Sequence, residues 1–106
     1  MGLQNRFIHH VYFWLKNPDS KEDQQALIAG LESLSKVAEI QLFHIGIPAA
    51  TDREVIDASY AVSWLTVFGT AKDQDVYQEH PLHLKFIADC SHLWSRVKVY
   101  DSIQHL

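Results

Sequence analysis

SYAVSWLTVF, residues 59–68, is the stretch that decides the fold, because it is rich in the β-branched and aromatic residues that favour a strand. In a sheet with one face in water, alternate residues are polar, because successive side chains point to opposite faces. Both alternating sets are largely apolar here: one contains Trp64 and Phe68, and the other contains Leu65 and Val67. The pattern predicts a strand that is covered on both faces.

The segment RFIHHVYFWLK, residues 6–16, shows the same two-sided character and predicts the first strand. Its alternating sets are Phe7, His9, Val11, Phe13 and Leu15 on one side and Ile8, His10, Tyr12 and Trp14 on the other. Residues 39–47 and 96–103 predict two further strands, although their alternation is less regular. Residues 49–57 carry four charged side chains, and we expect them to form an exposed loop.

Helical signals lie between these strands. Ser20 followed by Asp23 resembles a capping box, and it predicts a helix whose buried stripe is Leu27, Leu31, Leu34 and Ala38. Thr70 followed by Asp73 predicts a short helix over residues 71–79. Pro81 has no backbone N–H, so it marks a kink or the first turn of a new helix. The stripe that follows predicts a second main helix over residues 82–95; it consists of His83, Phe86, Cys90, Leu93 and Val97.

The order of these elements predicts the fold class. Strand, helix, strand, strand, helix, strand is the pattern of an α+β protein, a ferredoxin-like βαββαβ sandwich with one antiparallel sheet and two helices on one face. The helices cover one face, whereas the strands are apolar on both. A second copy of the same sheet is the simplest cover for the other face, so we expect a homodimer packed sheet to sheet.

Composition limits the functional classes. The 106 residues are enough for a single domain over 1–106, and 47% of them are hydrophobic, which excludes a disordered chain. Nine basic against thirteen acidic residues give a formal net charge of -4, so a nucleic-acid partner is not expected. The single Cys90 cannot form an internal disulfide, and no apolar segment long enough for a membrane span is present. We expect a cytoplasmic protein without a membrane partner.

Acid–base chemistry is the kind of reaction that this sequence favours. Seven histidines are many for 106 residues. His83 begins an apolar stripe, so it can take a proton at the mouth of an apolar pocket, and the hydroxyl of Tyr77 can donate to a carbonyl oxygen. A histidine on a stripe facing the core is also common as a purely structural residue. The pair His80 and His83 could bind zinc or iron, but no third ligand is defined, so no metal site is assigned.

Four segments of the chain resemble the stress-responsive A/B-barrel (Dabb) domain. They are HHVYFWLK at residues 9–16, YAVSWLTVF at 60–68, YQEHPLH at 77–83 and VKVYD at 97–101. The resemblance spans nearly the whole chain, and its most specific element is the Tyr-x-x-His-Pro-x-His motif. A ferredoxin-like fold that forms a dimeric α+β barrel is what this resemblance implies.

The resemblance also implies roles for particular residues. In a polyketide cyclase of this family, the tyrosine and the last histidine of the motif act on the substrate, and these positions are Tyr77 and His83 here. His83 would remove a proton next to a carbonyl, and Tyr77 would polarise that carbonyl. The histidine of the opening strand corresponds to His9, which would line the same cavity. A further cavity histidine of that cyclase falls on Val62, so this chain departs from the family pattern there.

Two functions therefore remain open. In the first, the homodimer binds a small hydrophobic molecule in a cavity between sheet and helices, with His9, His80 and Phe86 as ligand contacts. In the second, the protein is a cofactor-independent enzyme, a cyclase, isomerase or oxygenase, with His83 as base and Tyr77 as hydrogen-bond donor. No cofactor is expected for either function, although haem or metal binding through the histidines stays possible. Convergence of Tyr77 and His83 across an open pocket would favour the enzyme.

Overall fold

The computed structural model describes residues 1–105, and these form a four-stranded antiparallel sheet with three α-helices on one face. The strands are β1 (Phe7–Leu15), β2 (Ile40–Gly46), β3 (Val62–Phe68) and β4 (Trp94–Ile103). The helices are α1 (Lys21–Leu34), α2 (Ala71–Glu79) and α3 (Pro81–Cys90), and a 3₁₀ turn, Ser91–Leu93, leads into β4. The strand order β2-β3-β1-β4 is the ferredoxin-like arrangement, so the predicted fold class is confirmed.

Strand register decides which side chains face the helices. β1 lies between β3 and β4, and it places Val11 opposite both Trp64 and Val99. The β1 set that includes His9 and Val11 is buried against the helices, as is Trp64 at 1% exposure. The odd-numbered residues of β1 and the even-numbered residues of β3 therefore form the floor of the core.

Helix α1 begins where the capping signal predicts and ends one turn early. The hydroxyl of Ser20 accepts a hydrogen bond from the backbone N–H of Asp23. Three of the four residues in the predicted stripe are buried, namely Leu27, Leu31 and Leu34. Ala38, in contrast, is exposed, and Val37 is buried in its place. The cause is a tight turn after Leu34, in which the Val37 N–H donates to the Leu34 carbonyl, so the helical period no longer applies.

The second helical region is divided at Pro81, which is the first residue of α3. Helix α2 occupies the predicted range 71–79, and its N-cap is Thr70. Helix α3 ends at Cys90 rather than at residue 95. The reason lies in the sheet: Trp94 already pairs with Leu15 of β1, so the chain must leave the helix before that position.

The other face of the sheet, which we call the open face, carries the second alternating set of β1: Ile8, His10, Tyr12 and Trp14. Pairing adds Tyr100 of β4 beside His10, and Leu65 of β3 on its other side. Tyr100 is 57% exposed. The three helices lie against the opposite face, so this aromatic surface is only partly covered by its own chain. None of the helices described over residues 1–105 is long and apolar enough to cross a membrane.

Candidate functional site

A cavity of about 180 Å³ lies between the sheet and helices α2 and α3. Its walls are mainly apolar, and four polar side chains reach it. The apolar lining is Val11, Phe13, Trp64, Phe86, Ile87, Trp94, Val97 and Val99, and the polar lining is His9, Tyr77, Gln78 and His83. Apolar pockets with a few convergent polar groups are typical of small-molecule sites.

Tyr77 enters the cavity from α2, and its hydroxyl is held by one neighbour. The Trp64 indole N–H donates a hydrogen bond to the Tyr77 hydroxyl oxygen, at 3.0 Å. Burial raises the pKa of Tyr77 to about 12, with the Trp64 hydrogen bond acting in the opposite direction. The phenol therefore stays protonated at neutral pH, and its own O–H can donate to a ligand while Trp64 occupies an acceptor position.

His83 lies on the first turn of α3 and packs edge to face against Tyr77, with ring centroids 4.9 Å apart. Its Nδ1 atom is buried and has no hydrogen-bond partner within residues 1–105. Burial lowers the pKa of His83, and nearby His9 lowers it further. The backbone of Gln78 has the smaller, opposite effect and raises this pKa. The ring is therefore neutral at pH 7, the form that can accept a proton.

His9, on β1, is the polar side chain that the sheet contributes to the cavity. Its Nδ1 lies 2.6 Å from a carboxylate oxygen of Asp101 on the neighbouring strand β4. The Asp101 carboxylate accepts a hydrogen bond from the Nδ1–H group of His9. The rings of His9 and Tyr77 are 5.8 Å apart, so His9 belongs to the same cavity as Tyr77 and His83.

Four of the five predicted site residues meet at this cavity: His9, Tyr77, His83 and Phe86. His80, the fifth, is not part of the lining. Its Nδ1 accepts a hydrogen bond from the backbone N–H of Leu82, so the ring serves as the N-cap of α3. The local reason is the proline at the first helical position, which leaves the next N–H as the donor to be capped.

Two residues of the site were not singled out from the sequence. Asp101 is the last residue of the segment VKVYD, and only the β1–β4 register places it beside His9. Trp64 reads as one more strand aromatic, and only the packing of α2 shows its bond to Tyr77. A polar residue on an otherwise apolar strand parity, as at Asp101, is the signal that could have found the first of them.

A metal site is not evident in the part of the chain that the structure describes, residues 1–105. No group of three or more histidine, cysteine, aspartate or glutamate side chains is arranged there to hold an ion. A second cavity, of about 390 Å³, lies on the open face. Its lining is His10, Tyr12, Trp14, Asp57, Tyr60 and Tyr100.

Comparison with known families identifies one match. The model of the family described as "Stress responsive A/B Barrel Domain" matches residues 7–104. A comparison with curated proteins finds no match.

Solved structures share the fold at low sequence identity. A Dabb family protein with a ferredoxin-like fold from Mesorhizobium loti is 22% identical, with a TM-score of 0.77, over 96% of this chain and 99% of that chain. The hydroxynitrile lyase from Passiflora edulis is 20% identical, with a TM-score of 0.76, over 97% of this chain and 96% of that one. A dimeric ferredoxin-like protein of unknown function from Thermobifida fusca is 15% identical, with a TM-score of 0.76, over 98% of this chain and 95% of that chain.

Proposed function

The chain belongs to the stress-responsive A/B barrel domain (Dabb) family, and we propose that it acts as a homodimer that binds a small hydrophobic molecule between sheet and helices. The observation that carries this proposal is the buried Nδ1 of His83, which lacks a partner among residues 1–105 and belongs to a side chain of an apolar cavity. A buried polar atom left unpaired costs roughly 1–3 kcal/mol. A ligand with a matching polar group would recover that cost.

The cavity limits the size of this ligand. A volume of about 180 Å³ is close to the roughly 150 Å³ of an apolar cavity that accepts benzene. One ring, or a short branched chain, with a single carbonyl or hydroxyl group suits both the volume and the polar atoms. At one end of the cavity the apolar side chains Ile87, Val97 and Val99 are exposed, so a ligand has an apolar entrance between α3 and β4.

The binding proposal is tested with small aromatic ketones and β-keto acids added to labelled protein, followed by NMR. Saturable shifts are expected at His83 and Tyr77, and the His83→Gln variant should bind more weakly. His92→Gln is the matched control, because His92 is an exposed histidine on the 3₁₀ turn. The proposal fails if no such compound shifts His83 at millimolar concentration, or if both variants bind as the unaltered protein does.

A second candidate function is proton abstraction next to a carbonyl. It is supported by the positions and protonation states of Tyr77 and His83 in the cavity. His83, neutral at pH 7, would take the proton from the carbon, and the C–H electron pair would become the double bond of an enolate. Tyr77, whose hydroxyl stays protonated, would donate a hydrogen bond to the developing oxyanion. The hydroxynitrile lyase from Passiflora edulis has this fold, so the fold is compatible with lyase activity.

A hydrogen-exchange measurement distinguishes an enzyme from a protein that only binds the ligand. The protein is incubated with a bound ketone in deuterated water, and loss of the proton next to the carbonyl is followed by NMR. The enzyme is supported if exchange is catalysed by the unaltered protein and is lost in His83→Gln. The Tyr77→Phe variant should still bind the ketone. Binding without any exchange above the buffer rate contradicts it and leaves the binding function intact.

The homodimer is proposed on the open face. Its exposed surface includes Tyr100 and Leu42, each 57% exposed, and the aromatic residues of β1 lie between the two edges. Related folds are described as dimeric, among them the Thermobifida fusca protein, which this chain covers over 95% of its length. Sheets that pack face to face bury side chains of this type. Because the single Cys90 forms no internal disulfide, a reducing, cytoplasmic setting belongs to the same proposal.

A further inference from the structure

One row of side chains crosses the open face and contains two histidines. Strand pairing places His44 of β2 opposite Leu65 of β3, and Leu65 opposite His10 of β1. His10 is in turn opposite Tyr100 of β4. Since directly paired residues point to the same side of a sheet, this row lies where a second sheet would pack.

Each histidine of this row is held close to the sheet. The ring of His10 lies 4.5 Å from the ring of Tyr12, and its Nδ1 is 3.4 Å from the Tyr12 hydroxyl. The ring of His44 lies over Gly46: a Cβ atom added to this glycine would come within 2.9 Å of His44 Cε1. The absence of a side chain at Gly46 thus leaves room for the ring of His44, which is exposed.

The surroundings already disfavour a charged His10 in the single chain. Burial lowers the pKa of His10, and the neighbouring His44 and His9 lower it further. From β4 the row is flanked by the cation Lys98, which pairs with Tyr12. Arg96 on the same strand stacks on Trp14, 4.5 Å from the ring centroid.

One acidic group and three phenolic groups line the same cavity as His10. Asp57, from the loop before β3, lines the open-face cavity with His10, and its carboxylate accepts hydrogen bonds from the Ser59 N–H and hydroxyl. Those bonds lower the pKa of Asp57, and the charge of Arg96 lowers it further, so the carboxylate is ionised and already lies near a cation of the same face. The phenols facing His10 are Tyr12, Tyr60 and Tyr100; burial raises the pKa of Tyr12, which stays neutral. β3 contributes only Leu65 to the row, which does not titrate.

We propose that the sheet-to-sheet interface is a pH-sensitive switch: the homodimer is stable at neutral pH and dissociates on acidification, when His10 takes up a proton. This inference rests on the homodimer proposed above. Two-fold symmetry brings two copies of each histidine to one interface, where apolar packing removes water from them. Protonation of the two copies of His10 would place two positive charges in that interface, and a buried charge without a partner is strongly unfavourable.

The sign and size of the effect follow from linkage. Burial at the interface favours the neutral ring, so the separated chains bind more protons than the dimer in the range below the ordinary histidine pKa of about 6.5. The dimer is therefore favoured above that pH and weakened below it. Each histidine changes the dissociation constant by at most about tenfold per pH unit, so the two copies of His10 change it by at most about a hundredfold per pH unit.

The test is a dilution series by sedimentation velocity or light scattering at pH 7.5, 6.5 and 5.5 at constant ionic strength, with circular dichroism to confirm that the chain stays folded. The dissociation constant should rise at least about tenfold between pH 7.5 and 5.5. In His10→Gln/His44→Gln, whose amides do not titrate, this rise should be lost. His92→Gln, which removes a histidine outside the open face, should keep it.

The possible results are distinct. A dimer whose dissociation constant changes less than twofold with pH, or a double variant that keeps the full dependence, overturns the switch and leaves the homodimer standing. A folded monomer at pH 7.5 up to high micromolar concentration overturns the homodimer itself. If the double variant does not dimerise, NMR titration of His10 at low and high protein concentration decides the matter: its pKa must fall as the dimer forms, and an unchanged value overturns the switch.

Discussion

At Tyr77, a single hydrogen bond determines what the hydroxyl can do. Trp64, on β3 below it, donates its indole N–H to the phenolic oxygen at 3.0 Å, and both side chains are 1% exposed. The hydroxyl is then left with its own proton to offer to the cavity. His83, beside it, has the opposite property, because its buried Nδ1 lacks a partner among the described residues. The donor hydroxyl of Tyr77 and the unpaired nitrogen of His83 therefore belong to side chains that line the same small cavity.

The Trp64–Tyr77 pair can be tested through stability. Tyr77→Phe should lower the free energy of unfolding by about 1–3 kcal/mol, because it leaves the buried indole N–H without an acceptor. Trp64→Phe removes the donor and also leaves a small void. The double variant should cost less than the sum of the two single variants, as measured by urea denaturation. Strict additivity would contradict a direct energetic coupling between the two side chains.

Ligand binding should depend on pH through His83. Its lowered pKa means that the ring is neutral above the ordinary histidine value of about 6.5, and that it gains a proton only at lower pH. Affinity for a small phenol, whose hydroxyl donates to a neutral His83 nitrogen, should be constant from pH 8 to about 6.5 and should fall on further acidification. Isothermal titration at several pH values checks this, with His83→Gln as the variant that should show a flat profile. An affinity that rises on acidification would exclude neutral His83 as the acceptor.

At the scale of elements, the junction between α2 and α3 is organised by a histidine that caps a helix. His80 has extended geometry between the two helices, and its Nδ1 accepts from the Leu82 N–H. Pro81 follows at the first position of α3, where its missing N–H has no cost. The motif therefore contains the start of α3, at His80 and Pro81. It also contains two side chains that line the cavity, Tyr77 on α2 and His83 on α3.

A capping role for His80 predicts a specific pattern of variants. His80→Ala should lower the free energy of unfolding by about 1 kcal/mol, the usual value for losing an N-cap. His80→Asn should retain most of the stability, because asparagine caps well. Thermal or chemical denaturation of the three proteins provides the measurement. Equal loss in both variants, together with lost ligand affinity, would instead favour a direct role in binding.

For the whole molecule, the two faces of the sheet carry different side chains and have different surroundings. One face and the helices enclose the core and the cavity with His9, Tyr77 and His83. The open face carries the aromatic residues and the row that includes His10 and Leu65. In the proposed homodimer, the first face would bind the ligand and the second would join the copies.

A charge at the centre of the open face should separate the copies. Leu65→Lys places an ammonium in the middle of the histidine row, where a partner sheet would have to desolvate it. The variant should be a folded monomer by light scattering, with circular dichroism like that of the unaltered protein. Leu84→Lys, on an exposed position of α3 that is 58% accessible, is the matched control and should leave the association state unchanged. If Leu65→Lys dimerises as tightly as the control, the open face is not the interface.

Much of this arrangement could be predicted from local signals. The caps at Ser20 and Thr70 have short-range causes, as does the helix break at Pro81, so the sequence places them correctly. The bulge at Gln41 has no such signal. It shifts the register of β2, so Ile40 and Ile45 both pack against the core although strict alternation separates them.

The sequence by itself determined the element order, the fold class and the surplus of apolar residues on both faces of the strands, because these depend on residue type and on periods of two and 3.6. It also marked Tyr77 and His83 through their motif. Only the tertiary structure decided that Asp101 meets His9, that Trp64 binds Tyr77, and that His80 caps a helix instead of lining the cavity. Those contacts join residues through strand register and packing geometry, and a linear pattern does not contain the distances between side chains that are far apart in the chain.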